Sequence, residues 1–175
     1  MSHERYTRTN QKLFYAGLAL ESWREAEKSG AFNAPARVQA CREECLFHLY
    51  GAALGLCHEV AGYYRLDDDS MPSVELFLSR ERQERSPSPE MAELIELAAS
   101  KETWLHRLLN AYGALYLPPV APSKPKQDPT IPLIQTINVG EGLGGDSQLQ
   151  QDELEYWRNQ IKIVALRFRE GLSEI

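Results

Sequence analysis

Between Asn33 and Leu66 the chain contains no proline beyond Pro35 and no breaker stronger than glycine. Asn33 is a capping residue type, Pro35 is tolerated in a first helical turn, and LDDDSMP at Leu66 to Pro72 is the next strong turn signal. This predicts one helix of about 30 residues, spanning about 45 Å at the α-helical rise. Val38, Leu46, Phe47, Leu49, Tyr50, Ala53, Leu54, Leu56, Val60, Ala61 and Tyr64 cover most of its circumference, so it is expected to lie at the centre of a bundle. The part from Cys45 to Tyr64 has the length of a membrane span. It carries His48, His58 and Glu59, however, which argues for a buried core helix and against a membrane.

The rest of the chain supplies helices to pack around it. Leu13, Ala16, Leu20, Trp23 and Ala26 recur at helical spacing between Asn10 and Ser29, with Gly30 as the stop. Three shorter helices are expected at Ser73 to Arg85, Pro89 to Ala99 and Lys101 to Tyr116, with Ser73, Ser88 and Ser100 as N-caps. In the third, Trp104, Leu105, Leu108, Leu109, Tyr112, Leu115 and Tyr116 form one broad apolar face. A last helix, from about Gln150 to Leu172, repeats Leu154, Trp157, Ile161, Val164 and Phe168 at 3-4-3-4 spacing, the seam a helical partner needs.

Residues 117–148 differ in character. LPPVAPSKPKQDPTIP holds six of the ten prolines, each of which removes a backbone donor and fixes φ, so no helix crosses it. The expected architecture is therefore an all-α, single-domain bundle spanning residues 1–175. It has five to six helices, a long central helix and a Pro/Gly-rich strap before the last one. PxxP spacing suits extended structure, and Ile131, Leu133, Ile134 and Ile137 in IPLIQTINV could add a strand to a protein partner.

Charge narrows the partners. The net charge is -6, which leaves no overall basic field to neutralise a phosphate backbone, and nucleic acid is disfavoured. MSHERYTRTNQK has no apolar secretory core, and three cysteines on one expected helix make no disulfide framework. A cytoplasmic location is expected, with oligomeric state open.

All three cysteines and two of the four histidines lie in CREECLFHLYGAALGLCHE, Cys41 to Glu59. Cys41, Cys45 and His48 project within about 60° of one another, but Cys41 and His48 are about 10.5 Å apart along the axis, too far to converge on one tetrahedral ion. Cys57 and His58 diverge by about 100° and cannot act on each other. No metal site and no cofactor is expected. A second pattern is more informative: Glu44, His48, Gly51, Gly55, His58 and Gly62 follow 4-3-4-3-4 spacing down one side. Each glycine costs about 1 kcal/mol of helix propensity, so close approach by a neighbouring helix backbone, or by a large aromatic such as Trp23 or Trp157, should offset it. The functional alternative is a ligand groove floored by the glycines and walled by Glu44, His48 and His58.

Other motifs have plainer readings. Gly140, Gly142 and Gly145 satisfy G-x-G-x-x-G, yet no second parallel strand can follow the helix that ends the chain. Asp67, Asp68 and Asp69 lack calcium-loop spacing, and Arg80 to Arg85 mixes signs as an exposed helical face does.

Arg42 and His48, in R-EECLF-H, resemble the R-x(4-6)-H motif of the HEPN family of helical ribonucleases, which would imply RNA cleavage by that pair. Across nearly the whole chain, YTRTNQKLFYAGLALESW, ECLFHLYGAALGLCHEVAGYYRL, TWLHRLLNAY, IPLIQ and LRFREGLSE resemble an uncharacterised family of small helical proteins from pseudomonads and relatives. That resemblance implies a bacterial, cytosolic protein and brings no catalytic residue with it. The leading expectation is a non-enzymatic helical protein that binds a macromolecular partner, a protein. A HEPN-like ribonuclease and a small-molecule binder in the Gly/His groove are the alternatives.

Overall fold

The computed structural model describes residues 2–66, 70–79, 88–118 and 149–173. It is all-α over these residues: α1 (Ser2–Lys28), α2 (Ala34–Tyr63), α3 (Val74–Phe77), α4 (Pro89–Ala99), α5 (Trp104–Ala114) and α6 (Gln151–Ser173). Asp67 to Asp69, Arg80 to Arg85, Gly140, Gly142, Gly145 and the strand candidates Ile131, Leu133, Ile134 and Ile137 lie outside the described residues.

The helix ends follow local chemistry. Gly30 takes φ 61°, the left-handed conformation that closes α1 before the chain turns into α2. The far end of α2 uses the same geometry without a glycine. Arg65 sits at φ 49°, its N–H reaching the Gly62 carbonyl while the Leu66 N–H bonds the Ala61 carbonyl at 3.0 Å, a Schellman closure. Ser73 and Ser88 cap α3 and α4, accepting from the Leu76 and Met91 N–H groups.

Three boundaries differ from the sequence reading. The first helix begins near the N-terminus, at Ser2 rather than Asn10. The helix expected from Ser73 is a single turn that ends at Phe77. Ser100, expected to start the fifth helix, instead closes α4, with its N–H on the Glu96 carbonyl. Thr103 takes over the cap of α5, accepting from the His106 N–H at 3.3 Å while its single hydroxyl proton is shared between the Leu97 and Ser100 carbonyls. A hydroxyl that bonds both the preceding helix and the next one locks the corner more firmly than Ser100 alone could.

α1 and α2 form a long helical hairpin, and α6, α5, α4 and α3 cover the side of α2 that α1 leaves bare. One contiguous core results. The seam residues Leu154, Trp157, Ile161, Val164 and Phe168 of α6 are all buried, as are Trp104, Leu105 and Leu108 of α5. The buried residues of α2 begin at Cys45, and its first turns are half-buried or exposed. Phe47, placed in the core by its hydrophobicity, is 49 % exposed, with the Lys12 ammonium 4.6 Å from its ring centroid. No described helix is long and apolar enough to cross a membrane.

Candidate functional site

The glycine stripe of α2 is where α1 lies. A Cβ at Gly55 would fall 2.6 Å from the Thr9 Oγ1 and 3.3 Å from the Thr9 Cα, and one at Gly51 would meet the Lys12 side-chain carbons at 3.1 Å. A helix backbone, rather than Trp23 or Trp157, makes the approach. Trp23 instead donates to Glu27 Oε1 at 2.7 Å and carries the Arg42 guanidinium on its ring.

The polar members of the stripe separate into two neighbourhoods. His48 lies beside Tyr15, with ring centroids 5.3 Å apart, and 3.8 Å from the exposed Glu44 carboxylate. Burial and the Lys12 charge hold its pKa below the ordinary histidine value against the opposing pull of Glu44. His58 contacts other partners, its Nε2 2.8 Å from the Met71 carbonyl and its ring edge-on to Phe77. Gly62 is half-buried and its carbonyl takes part in the closure of α2. The structure therefore joins Glu44 to His48 and places His58 against α3.

Arg42 and His48, the pair of the R-x(4-6)-H motif, have no partner in common. Arg42 stacks over Trp23 at 4.9 Å and bonds Gln39, whereas His48 contacts Tyr15, Phe47 and Glu44. The thiols are held protonated. Burial pushes Cys45 up to about 12, with Glu155 adding to the effect, and pushes Cys57 to about 12 as well. Cys41, less deeply placed, is raised by burial and by Glu44. Cys45 packs as a small apolar group whose Sγ lies 3.7 Å from the Ala16 carbonyl. Among the described residues no cluster of His, Cys, Asp and Glu has metal-binding geometry.

Sequence reasoning missed the most deeply buried charge. Glu59, 4 % exposed, receives both arms of Arg169 from α6, at 2.9 and 2.8 Å. Arg169 also donates to Asn10 Oδ1 and lies over the Tyr6 ring, so a single guanidinium ties α6 to α2 and α1. The signal was present: a carboxylate inside an apolar run must find a cation when it is buried. A second tie is made by Tyr50, which donates to Glu75 Oε2 at 2.8 Å, accepts from the Val74 N–H and stacks on Tyr112 at 3.9 Å. Burial, reinforced by Glu75, raises the Tyr50 pKa and keeps its proton in place as that donor.

Two of the grooves among the described residues have apolar floors between helices. One runs between α1 and α6, about 300 Å³, floored by Leu13 and Ala165 and edged by Phe14, Leu166, Arg158 and Lys162. Phe14 is 60 % exposed there, with Leu166 at 48 % and Leu18, one turn on from Phe14, at 44 %. Arg158 crosses α1 at Gly17, donating to the Leu13 carbonyl at 2.8 Å. The other groove, about 780 Å³, opens between α2, α5 and the start of α6, over Leu46 and Trp157.

No curated protein and no solved structure matches the chain. A family model described as a family of unknown function, DUF6586, matches residues 1–175. The resemblance seen in the sequence extends over the full length, and the chain belongs to that family.

Proposed function

We propose that this protein is a non-enzymatic binding module that receives an amphipathic helix of a protein partner in the groove between α1 and α6. One observation carries the reading: Phe14 and Leu166, both exposed, line a groove with an apolar floor, and Leu18 continues the exposed apolar face one turn further along α1. Large apolar side chains scattered singly mean little, but a cluster around a concavity is what helix-in-groove recognition uses. The exposed Lys162 on the α6 wall favours a partner helix with an acidic flank. The bulk of the molecule supports this as a rigid platform, since the Arg169–Glu59 pair fixes α6 against the α1–α2 hairpin just beside the groove.

The test is site-specific photo-crosslinking in the native cell, with a benzophenone amino acid at position 14 or 18. A discrete adduct with a second protein is expected from both positions, absent from a probe at Glu25 and lost when Leu166→Asp is added. Adducts of equal yield from Glu25, or none from positions 14 and 18, would remove the basis for the proposal. An adduct of twice the chain mass in the purified protein would assign the groove to self-association instead.

A further inference from the structure

The larger groove calls for a different occupant. We infer that the cleft between α2, α5 and α6 is a binding site for a small organic anion with an apolar body. Its apolar lining is Leu46, Ala111, Leu115 and Leu149, with Trp157, otherwise buried in the core, at its edge. Its rim is cationic, with Arg42 on α2, Lys101 just before α5 and Arg107 on α5, joined by His106 and Asn110. That concentration is unexpected in a chain of net charge -6, where carboxylates outnumber cations and could have neutralised every one.

Only Arg107 is neutralised, by Glu153 on α6. Among the described residues neither Arg42 nor Lys101 has a carboxylate within ion-pair distance. The Arg42 guanidinium is held in place, stacked on Trp23 and bonded to the neutral Gln39 amide, while its Nε is buried from solvent without an acceptor. A guanidinium held in place with no carboxylate partner is suited to a carboxylate, phosphate or sulfonate oxygen. The volume of about 780 Å³ lies in the range of small-molecule pockets and exceeds what an inorganic ion would fill, so the apolar floor needs a ring or short acyl body above it. The anion sits against Arg42 and Lys101, and the body lies over the apolar lining formed by Ala111, Leu115 and Leu149.

His106 fixes the α5 wall. Its Nδ1 lies 2.7 Å from the Ala98 carbonyl at the end of α4, which pins the ring and the helix N-terminus on which Arg107 stands. Apart from Lys101, in the short connection between α4 and α5, the cationic rim thus lies on regular helices whose positions the core determines, as a pre-formed pocket requires.

The probe for the experiment is 8-anilinonaphthalene-1-sulfonate, a sulfonate on an apolar body, titrated into the full chain and followed by energy transfer from tryptophan. N-phenyl-1-naphthylamine, with nearly the same rings and no charge, serves as the comparison. The expected result is saturable one-to-one binding of the sulfonate that weakens about tenfold or more in Arg42→Gln and again in Lys101→Gln, the loss typical of one charge-assisted contact. Arg167→Gln, remote from the cleft, should leave the affinity unchanged, as should Leu166→Asp at the other groove. Lys101 is exposed and precedes the helix, so its substitution reads out binding even if Arg42→Gln perturbs folding. Absence of saturable binding, equal affinity for the neutral amine, or indifference of the affinity to Lys101→Gln would each overturn the inference, and sensitivity to Leu166→Asp would relocate the probe to the α1–α6 groove.

Discussion

Two alanine substitutions one turn apart on the same face of α2 should change stability in opposite directions. In both, replacing glycine gains about 1 kcal/mol of helix propensity. They differ in what the new methyl meets. At Gly51 it meets the Lys12 aliphatic chain at 3.1 Å, and a half-exposed lysine can swing aside at little cost. At Gly55 it would lie 2.6 Å from a hydroxyl that is itself fully buried and 3.3 Å from the α1 backbone, which cannot move without parting the hairpin. Overpacking of that kind costs about 1–3 kcal/mol. Gly51→Ala is therefore expected to be neutral to about 1 kcal/mol stabilising, and Gly55→Ala to be destabilising by up to about 2 kcal/mol after the propensity gain. In a chain of this length the difference between them corresponds to several degrees in Tm, about 2–4 °C per kcal/mol. Urea titration followed by circular dichroism measures both on the same scale, and Thr9→Ala added to Gly55→Ala should recover part of the loss by removing the hydroxyl. If Gly55→Ala raised stability as much as Gly51→Ala, α1 would not be pressed onto the stripe and the account of the hairpin would fail.

Three further outcomes follow from the same coordinates. Arg169→Met should cost about 3–5 kcal/mol in urea unfolding because it strands a buried carboxylate, and pairing it with Glu59→Leu should recover most of that; additive losses would refute the pairing. Arg65→Gly should stabilise by about 0.5–1 kcal/mol, since glycine adopts the left-handed closure of α2 without strain; a lower unfolding midpoint would show that the arginine side chain matters more than its φ. In native protein, iodoacetamide should label Cys41 first and Cys45 and Cys57 only on unfolding, as peptide mass spectrometry can resolve; early labelling of Cys57 would contradict its burial.

Much of the scaffold was legible because it rests on short-range rules. The seam of α6 needs only a hydrophobic period, Gly30 needs only a position after the last periodic residue, and Ser73 and Ser88 need only a hydroxyl before a helical run. Where two hydroxyls competed for one corner, Thr103 prevailed over Ser100 through a bond to a carbonyl of the previous helix, which no local pattern encodes. Phe47 was misplaced for a related reason: α1 covers one side of α2 and the shorter helices another, which leaves a strip of an apolar helix facing water.

By itself, the order of residues determined that the chain is helical, where most of its helices stop, and that a glycine stripe on the longest one must be closely approached by something. Periodicity, propensity and turn chemistry act within a few residues and are written in the chain. Tertiary structure decided that α1 is what approaches, that Glu59 finds Arg169, and that Arg42, Lys101 and Trp157, far apart in the chain, meet around one cleft. Those pairings join residues whose encounter depends on how whole helices pack, and packing angles and offsets are set by the summed shape of many side chains rather than by any local run of them.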